Sequence, residues 1–127
     1  MRDQEELKYH HDHAWADVSG ERATMGITDY AQDQLGEVVY IDLPEPGARI
    51  VKGTEICEIE STKAVSSFVA PLSGTILQVN EELRDTVDVV NDSPYGGGWI
   101  VTVELADLSE LADLLSAADY QALVKGR

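Results

Sequence analysis

The sequence predicts a mainly β protein, a small sandwich or barrel with short helices added. Three observations carry that prediction. Short runs rich in Val, Ile, Leu and Thr recur between Gly- and Pro-containing turns, a pattern of antiparallel strands and not of a parallel sheet. The centre of the chain carries an internal echo, with Gly53 ten residues before Lys63 and Gly74 eleven after it, each beside a Val/Ile/Leu-rich stretch. Only towards the C-terminus does the apolar period become helical, in Leu108, Leu111, Leu114, Leu115 and Ala118.

Taken in order, Leu7 to Trp15 and Ala23 to Ile27 read as strands around the polar turn Asp17-Val18-Ser19-Gly20. Thr28 to Gly36 reads as a helix: Asp29 with Gln32 three residues on makes a capping box, and Gly36 suits the left-handed position past the last turn. Val38 to Leu43 is a strand stopped by Pro44-Glu45-Pro46-Gly47. Two hairpin-like halves then lie about Lys63, over roughly residues 50–80. Asn91-Asp92-Ser93-Pro94-Tyr95-Gly96-Gly97-Gly98 is a turn-rich loop feeding the strand Trp99 to Leu105, and its role is to deliver Trp99 to the core. Asp107-Leu108-Ser109-Glu110 starts a helical region over about 107–125, with Ser116 to Asp119 as a second cap.

A chain of 127 residues without a linker-like stretch reads as one domain over 1–127. Its apolar share of 43% argues against disorder. No run approaches the roughly 20 apolar residues of a membrane helix, so no membrane association is expected. Met1 to Glu6 lacks an apolar signal region, and the single Cys57 fits a reducing compartment. The expected location is the cytoplasm, or the mitochondrial matrix for a processed precursor. With 24 acids against 9 basic groups the net charge is −15, which repels phosphate backbones and argues against nucleic-acid binding. Two readings of such a surface stand: solubility alone, which the charge by itself favours, or steering of the chain towards basic docking faces on partners.

Lys63 is the only lysine between Lys52 and Lys125, set in Glu58-Ile59-Glu60-Ser61-Thr62-Lys63-Ala64-Val65-Ser66 with strand-like runs on both sides. Lysines that act directly as nucleophiles or bases are usually buried among apolar groups. Here Glu60, Ser61, Thr62 and Ser66 make a polar setting, which points away from amine catalysis. Two readings of the residues remain: a solvated surface lysine, or an amine on a stiff turn that an enzyme acylates. No HExxH, Ser/His/Asp order or paired-carboxylate pattern stands out. His10-His11-Asp12-His13 offers at most two ligands on one strand face, His11 and His13, so no metal site is expected. Gly96-Gly97-Gly98 lacks the spacing of a phosphate loop. Cys57 reads as a packing residue.

Glu60-Ser61-Thr62-Lys63-Ala64 resembles the lipoylation motif of glycine cleavage system H proteins, and the resemblance runs along nearly the whole chain. Met25-Gly26-Ile27-Thr28-Asp29-Tyr30-Ala31-Gln32, Leu35-Gly36-Glu37-Val38-Val39-Tyr40 and Leu43-Pro44-Glu45-Pro46-Gly47 carry it through the first half. Ala70-Pro71-Leu72-Ser73-Gly74, Val90 to Gly96 and Gly98-Trp99 carry it through the second. The resemblance implies a flattened β-barrel or barrel–sandwich hybrid of two sheets, with peripheral helices and lipoyl-lysine, here Lys63, at a hairpin tip. Biotin carriers usually flank that lysine with Met, whereas Thr62 and Ala64 stand here, which favours lipoate. Glu60, Gly47 and Gly74 match positions that lipoyl-attaching enzymes read in related domains, with turn geometry as the plain alternative for the two glycines.

The function implied is that of a non-catalytic, monomeric shuttle. It carries an aminomethyl group from glycine decarboxylase (the P protein) to the tetrahydrofolate-dependent aminomethyltransferase (the T protein), and electrons to dihydrolipoyl dehydrogenase (the L protein). A lipoate ligase or transferase would load it. Two positions depart from the family: His13-Ala14-Trp15 stands where the family has His-Glu-Trp, and Ser67 stands where an acid often follows the lysine by four residues. Both family acids are associated with holding a charged amine in a cleft, so Asp12, His13 and Ser67 are the candidate cleft residues here, with Asp12 or Asp17 as substitute carboxylates. The loss of both acids implies a weaker hold and gives weight to an alternative role, an H-like relay that passes lipoyl groups to other acceptors. An unmodified acidic interaction module is a second alternative. A third, a lipoyl domain cut from a 2-oxo acid dehydrogenase, is disfavoured because the matches at both ends belong to the H-protein pattern.

Overall fold

The computed structural model describes residues 7–125. It is mostly β, with two antiparallel sheets. The larger has the order β1-β2-β3-β9-β8-β5, from β1 (Lys8–His10), β2 (Ala14–Ser19), β3 (Arg22–Ile27), β5 (Arg49–Ile50), β8 (Gly74–Val79) and β9 (Val101–Leu105). The smaller has the order β4-β6-β7, from β4 (Val38–Ile41), β6 (Glu55–Ser61) and β7 (Val65–Val69). Three α-helices accompany them: α1 (Asp29–Leu35), α2 (Val89–Asp92) and α3 (Ala117–Lys125). The sheets remain separate ladders and do not close on one another, so the expected flattened barrel is realised as two sheets over a shared core.

That core is built by strand alternation, because successive side chains point to opposite faces. Met25, Ile76, Val101 and Val103 of the larger sheet meet Ile41, Ile59 and Phe68 of the smaller in one buried cluster. Each such side chain contributes about 1.5–3 kcal/mol of transfer free energy. A second cluster, of Leu7, Tyr9, Trp15 and Tyr120, docks α3 against β1. There the Tyr9 and Tyr120 rings stack at 4.7 Å, and Tyr9 and Leu115 exchange backbone hydrogen bonds of 2.9 and 2.7 Å.

The echo about Lys63 has a structural counterpart. Both halves pass from one sheet to the other: β5 and β8 pair in the larger sheet through Arg49↔Thr75 and Ile50↔Gly74. Farther along the hairpin, β6 and β7 pair in the smaller sheet, ending at Glu60↔Val65 beside the tip.

Several local expectations are corrected. The single strand expected over Leu7 to Trp15 is two, β1 and β2, because residues 11–13 turn the chain back on itself, with His13 at φ 68° and its N–H bonded to the His10 carbonyl at 2.9 Å. Asp17 to Ser19 continue β2, and the turn falls at Gly20 and Glu21. The cap of α1 is Thr28, whose Oγ1 accepts from Ala31 N, while Asp29 Oδ1 accepts from Gln32 Nε2 at 2.9 Å. Gly36 ends the helix at φ 78°, ψ −153°, outside the left-handed helical well. The Leu108–Asp113 segment is a 3-10 helix, ended by Leu114 in an extended conformation. Trp99 is only partly buried beside the second cluster; Ile100 and Val101 are the fully buried residues that follow the glycine-rich loop.

Candidate functional site

Lys63 stands at the tip of the β6–β7 hairpin, exposed to solvent. Ser61 makes the turn. Its Oγ accepts from the backbone N–H groups of Lys63 and Ala64 at 3.2 and 3.1 Å, and its own N–H donates to the Ala64 carbonyl at 2.8 Å. A serine hydroxyl that satisfies its neighbours' amides in this way specifies a turn. The tip is also braced from outside, because Thr62 N–H donates to the Glu37 carbonyl at 3.0 Å. The lysine side chain lies across Gly36: a Cβ built there would sit 3.2 Å from Lys63 Cε and 3.5 Å from its Nζ. Glycine is required at that φ in any case, and no side chain competes with the lysine for the space.

Beside the lysine runs a groove of about 370 Å³. Ala64 to Val69, a stretch that includes all of β7, form one wall; β7 is an edge strand of its sheet, so consecutive residues face the opening. Asp12, His13, Ile27 and the α1 residues Tyr30, Ala31, Gln34 and Leu35 form the other wall. His13 is held there by a network. Its Nδ1 lies 2.8 Å from the Tyr120 hydroxyl, which lies 2.8 Å from Thr28 Oγ1, and its ring packs at 4.7 Å on Tyr30. Ser67 Oγ donates to Glu55 Oε1 across the hairpin.

The expected cleft residues Asp12, His13 and Ser67 therefore come together at one groove. Ala14 does not line it: at 1% exposure its side chain belongs to the main core. Of the two substitute carboxylates, Asp12 reaches the groove, whereas Asp17 lies along β2 opposite Thr24. Glu60 is exposed between Tyr40 and Val65, which pair with it from the flanking strands; those neighbours are 53% and 57% exposed. Gly47 and Gly74 are not at the tip. The length of β6 or β7 separates them from Lys63, and each has a backbone reason to be glycine. Gly47 adopts φ +92°, and a Cβ on Gly74 would fall 2.2 Å from the Glu104 carbonyl oxygen. Gly36 and Glu37, legible in the sequence only as a helix end and the residue after it, both touch the hairpin tip.

Other candidates separate from this site. His11 and His13 do not share a strand face, since both fall in the turn. The grouping that forms is His10, His11 and Asp12, with Asp12 Oδ2 3.5 Å from His10 Nδ1 and 3.6 Å from His11 Nε2. His10 Nδ1 already accepts the Asp12 N–H at 3.1 Å, so its lone pair is engaged, and burial pushes the pKa of this imidazole down. The triglycine loop is organised by buried Asn80, whose Nδ2 donates to the Gly97 and Trp99 carbonyls at 2.9 and 2.8 Å. Burial pushes the Cys57 thiol up to about 12, which makes it an inert packing group.

A β scaffold that holds one amine on a braced turn, beside a mostly apolar slot, defines a carrier-type protein. The family model described as glycine cleavage H-protein matches residues 7–127. A glycine cleavage system H protein of Bifidobacterium longum is 50% identical over 119 residues, 94% of this chain and 85% of that protein. One from Geobacillus sp. is 44% identical over 125 residues, 98% of each chain. The crystal structure of a glycine cleavage system H protein from Mycobacterium marinum superposes with a TM-score of 0.84 at 32% identity, covering 97% of this chain and 98% of that one. The chain belongs to the glycine cleavage system H-protein family, the lipoate-carrying shuttles of that system.

Proposed function

We propose that Lys63 is the residue of this chain to which lipoate is joined, as an amide on Nζ. We further propose that the loaded chain serves glycine decarboxylase, the aminomethyltransferase and dihydrolipoyl dehydrogenase in turn. The observation that carries this reading is the presentation of Lys63: an exposed amine on a turn closed by Ser61, braced by Glu37 and adjoining a groove. A lipoate ligase or transferase needs an amine it can reach in a fixed position, and a stiff hairpin tip provides one.

The residues fit the group. Ile27, Leu35, Ile59 and Phe68 offer an apolar lining suited to an alkyl arm, and Asp12, His13 and Ser67 add polar groups in the same groove. Attached, the dithiolane supplies a disulfide that accepts electrons and a carbon group together, which no side chain of the protein offers. The protein's own contribution is to hold and shelter. Asp12 provides the carboxylate that an ammonium-bearing cargo needs, and His13, locked by Tyr120, keeps that wall of the groove in shape.

Incubation of the purified chain with lipoate, ATP and a lipoate ligase, read by intact mass, tests the assignment. The expected result is the mass of one lipoyl group on the wild type and none on Lys63→Arg. An unmodified wild type, or a modified Lys63→Arg chain, overturns it.

A further inference from the structure

We infer that Asn91 is a positioning residue for Lys63, acting through the Gly36–Glu37 segment on which the hairpin tip rests. This inference depends on Lys63 being the acylated amine, as proposed above, and adds a residue 28 positions away that no motif at the lysine includes.

The geometry runs in a short chain of contacts. Asn91 sits in α2, and its amide is used on both sides of Glu37. Nδ2 donates to the Gly36 carbonyl at 2.7 Å and to Gln32 Oε1 at 2.9 Å, and Oδ1 accepts from Val38 N–H at 2.9 Å. The partners settle which end of the amide is which, since a carbonyl needs a donor and a backbone N–H an acceptor. Gly36 and Val38 are thereby fixed to one side chain, and Glu37 is held between them. Glu37 carries the carbonyl that accepts Thr62 N–H at 3.0 Å, and Gly36 carries the surface over which Lys63 lies. Asn91 thus anchors both contacts that the tip makes with this segment, the backbone brace and the side-chain rest.

The segment has two other ties: the Gly36 N–H donates to the Gln32 carbonyl at 3.0 Å, and Val38 is buried and pairs with Ser61. Asn91 is what holds the Gly36 carbonyl and the Val38 N–H. The segment falls between the end of α1 and the start of β4, whose ladder to β6 is itself irregular between Val38 and Tyr40. Gly36 adopts φ 78°, ψ −153° without strain, and a glycine with that freedom does not by itself hold the segment in place. Truncating Asn91 frees the Gly36 carbonyl and the Val38 N–H, and the brace then moves with the loop. A reacting amine displaced by about 1 Å can lose as much as a hundredfold in rate. Partial loosening of an exposed tip is expected to cost roughly tenfold in kcat/KM for lipoyl transfer.

The test uses the full chain, lipoate, ATP and a lipoate ligase, with initial rates read by intact mass on wild type, Asn91→Ala and Val103→Ala. Val103 is buried in the larger sheet, so its truncation destabilises the fold without touching the brace. Amide hydrogen exchange at Thr62 is measured on the same samples. Asn91→Ala is expected to lower kcat/KM about tenfold and to speed Thr62 exchange, while Val103→Ala loads at the wild-type rate. A Thr62 amide that exchanges at the wild-type rate in Asn91→Ala overturns the inference. So does an Asn91→Ala kcat/KM within about twofold of the wild type, or a drop that Val103→Ala reproduces. A wild type that is not acylated at Lys63 overturns the attachment assignment instead, and is recognised because no variant comparison then arises.

Discussion

Gly74 invites the sharpest test, because two explanations for it predict opposite results. If enzymes that load Lys63 read it, Gly74→Ala should slow loading and leave the fold alone. If it is a packing requirement, the fold should suffer. The Cβ of an alanine would lie 2.2 Å from the Glu104 carbonyl oxygen, 3.0 Å from its carbon and 3.3 Å from Leu105 Cα, all backbone of β9. A close carbon–oxygen contact needs about 3.3 Å, so β8 and β9 must part by roughly 1 Å at this point. The pairs that stand in the way are Gly74↔Leu105 and Thr75↔Glu104, along with the Ala106 N–H bond to the Ser73 carbonyl. Overpacking costs about 1–3 kcal/mol, and each weakened ladder bond about 1 kcal/mol, so a loss of about 3 kcal/mol is expected. At about 4 °C per kcal/mol for a chain of this size, Tm should fall by about 12 °C. Gly47→Ala is the control: its Cβ meets nothing within 4 Å, and only the positive φ counts, about 1–2 kcal/mol. Calorimetric melts of the three proteins measure this, with lipoylation rates taken at 25 °C where all remain folded. A Gly74→Ala melt within about 2 °C of wild type, joined to slow loading, would refute the packing argument.

Two further outcomes follow from groups away from the hairpin. Tyr120→Phe removes the hydroxyl that joins His13 to Thr28, at an expected cost of about 1–3 kcal/mol; an unchanged urea midpoint would mean the network contributes nothing. Cys57 should resist alkylation at pH 8 in the native protein and react readily in urea. The folded thiol keeps its proton to about 12 against an ordinary value of 9.0. The unfolded state therefore binds fewer protons between those values, and stability falls as pH rises through that window, by about 1.4 kcal/mol per unit above 9. Cys57→Ala removes that part of the slope, so the gap between wild type and variant in urea unfolding should narrow from pH 8 to pH 10. A constant gap would contradict the burial argument.

What the sequence revealed and what it hid divide along physical lines. The β6–β7 hairpin is legible because period-2 alternation of Cys57 and Ile59 is written locally in β6, and the polar run after it has nowhere to go but a turn. The turn at residues 11–13 is not, because it uses a histidine in the left-handed region in place of a glycine, asparagine or proline, and tertiary bonds to Tyr120 hold it. Thr28 and Asp29 are both acceptable caps by composition. Thr28 takes the role in a buried setting where its hydroxyl also meets Tyr120, from the far end of the chain. The groove was half legible, since Asp12, His13 and Ser67 were named, but its second wall on α1 depends on how the helix lies against β7. Asn91 was visible only as a turn residue; its bond to Gly36 spans 55 positions, and no local pattern reports such a contact.

The link between His13 and Tyr120 separates two properties that a carrier might have kept in one place. The hairpin tip is held by Ser61 and by the Glu37 segment that Asn91 bonds, while the far wall of the groove leans on a helix that closes the described chain. With lipoate joined at Lys63 as proposed, damage to α3, such as clipping by a protease, would leave an amine that can still be loaded beside a slot that no longer keeps its shape. Molecules of that kind would accumulate as fully modified and poorly protective, so the extent of lipoylation alone would not report how many carriers in a population are fit for use.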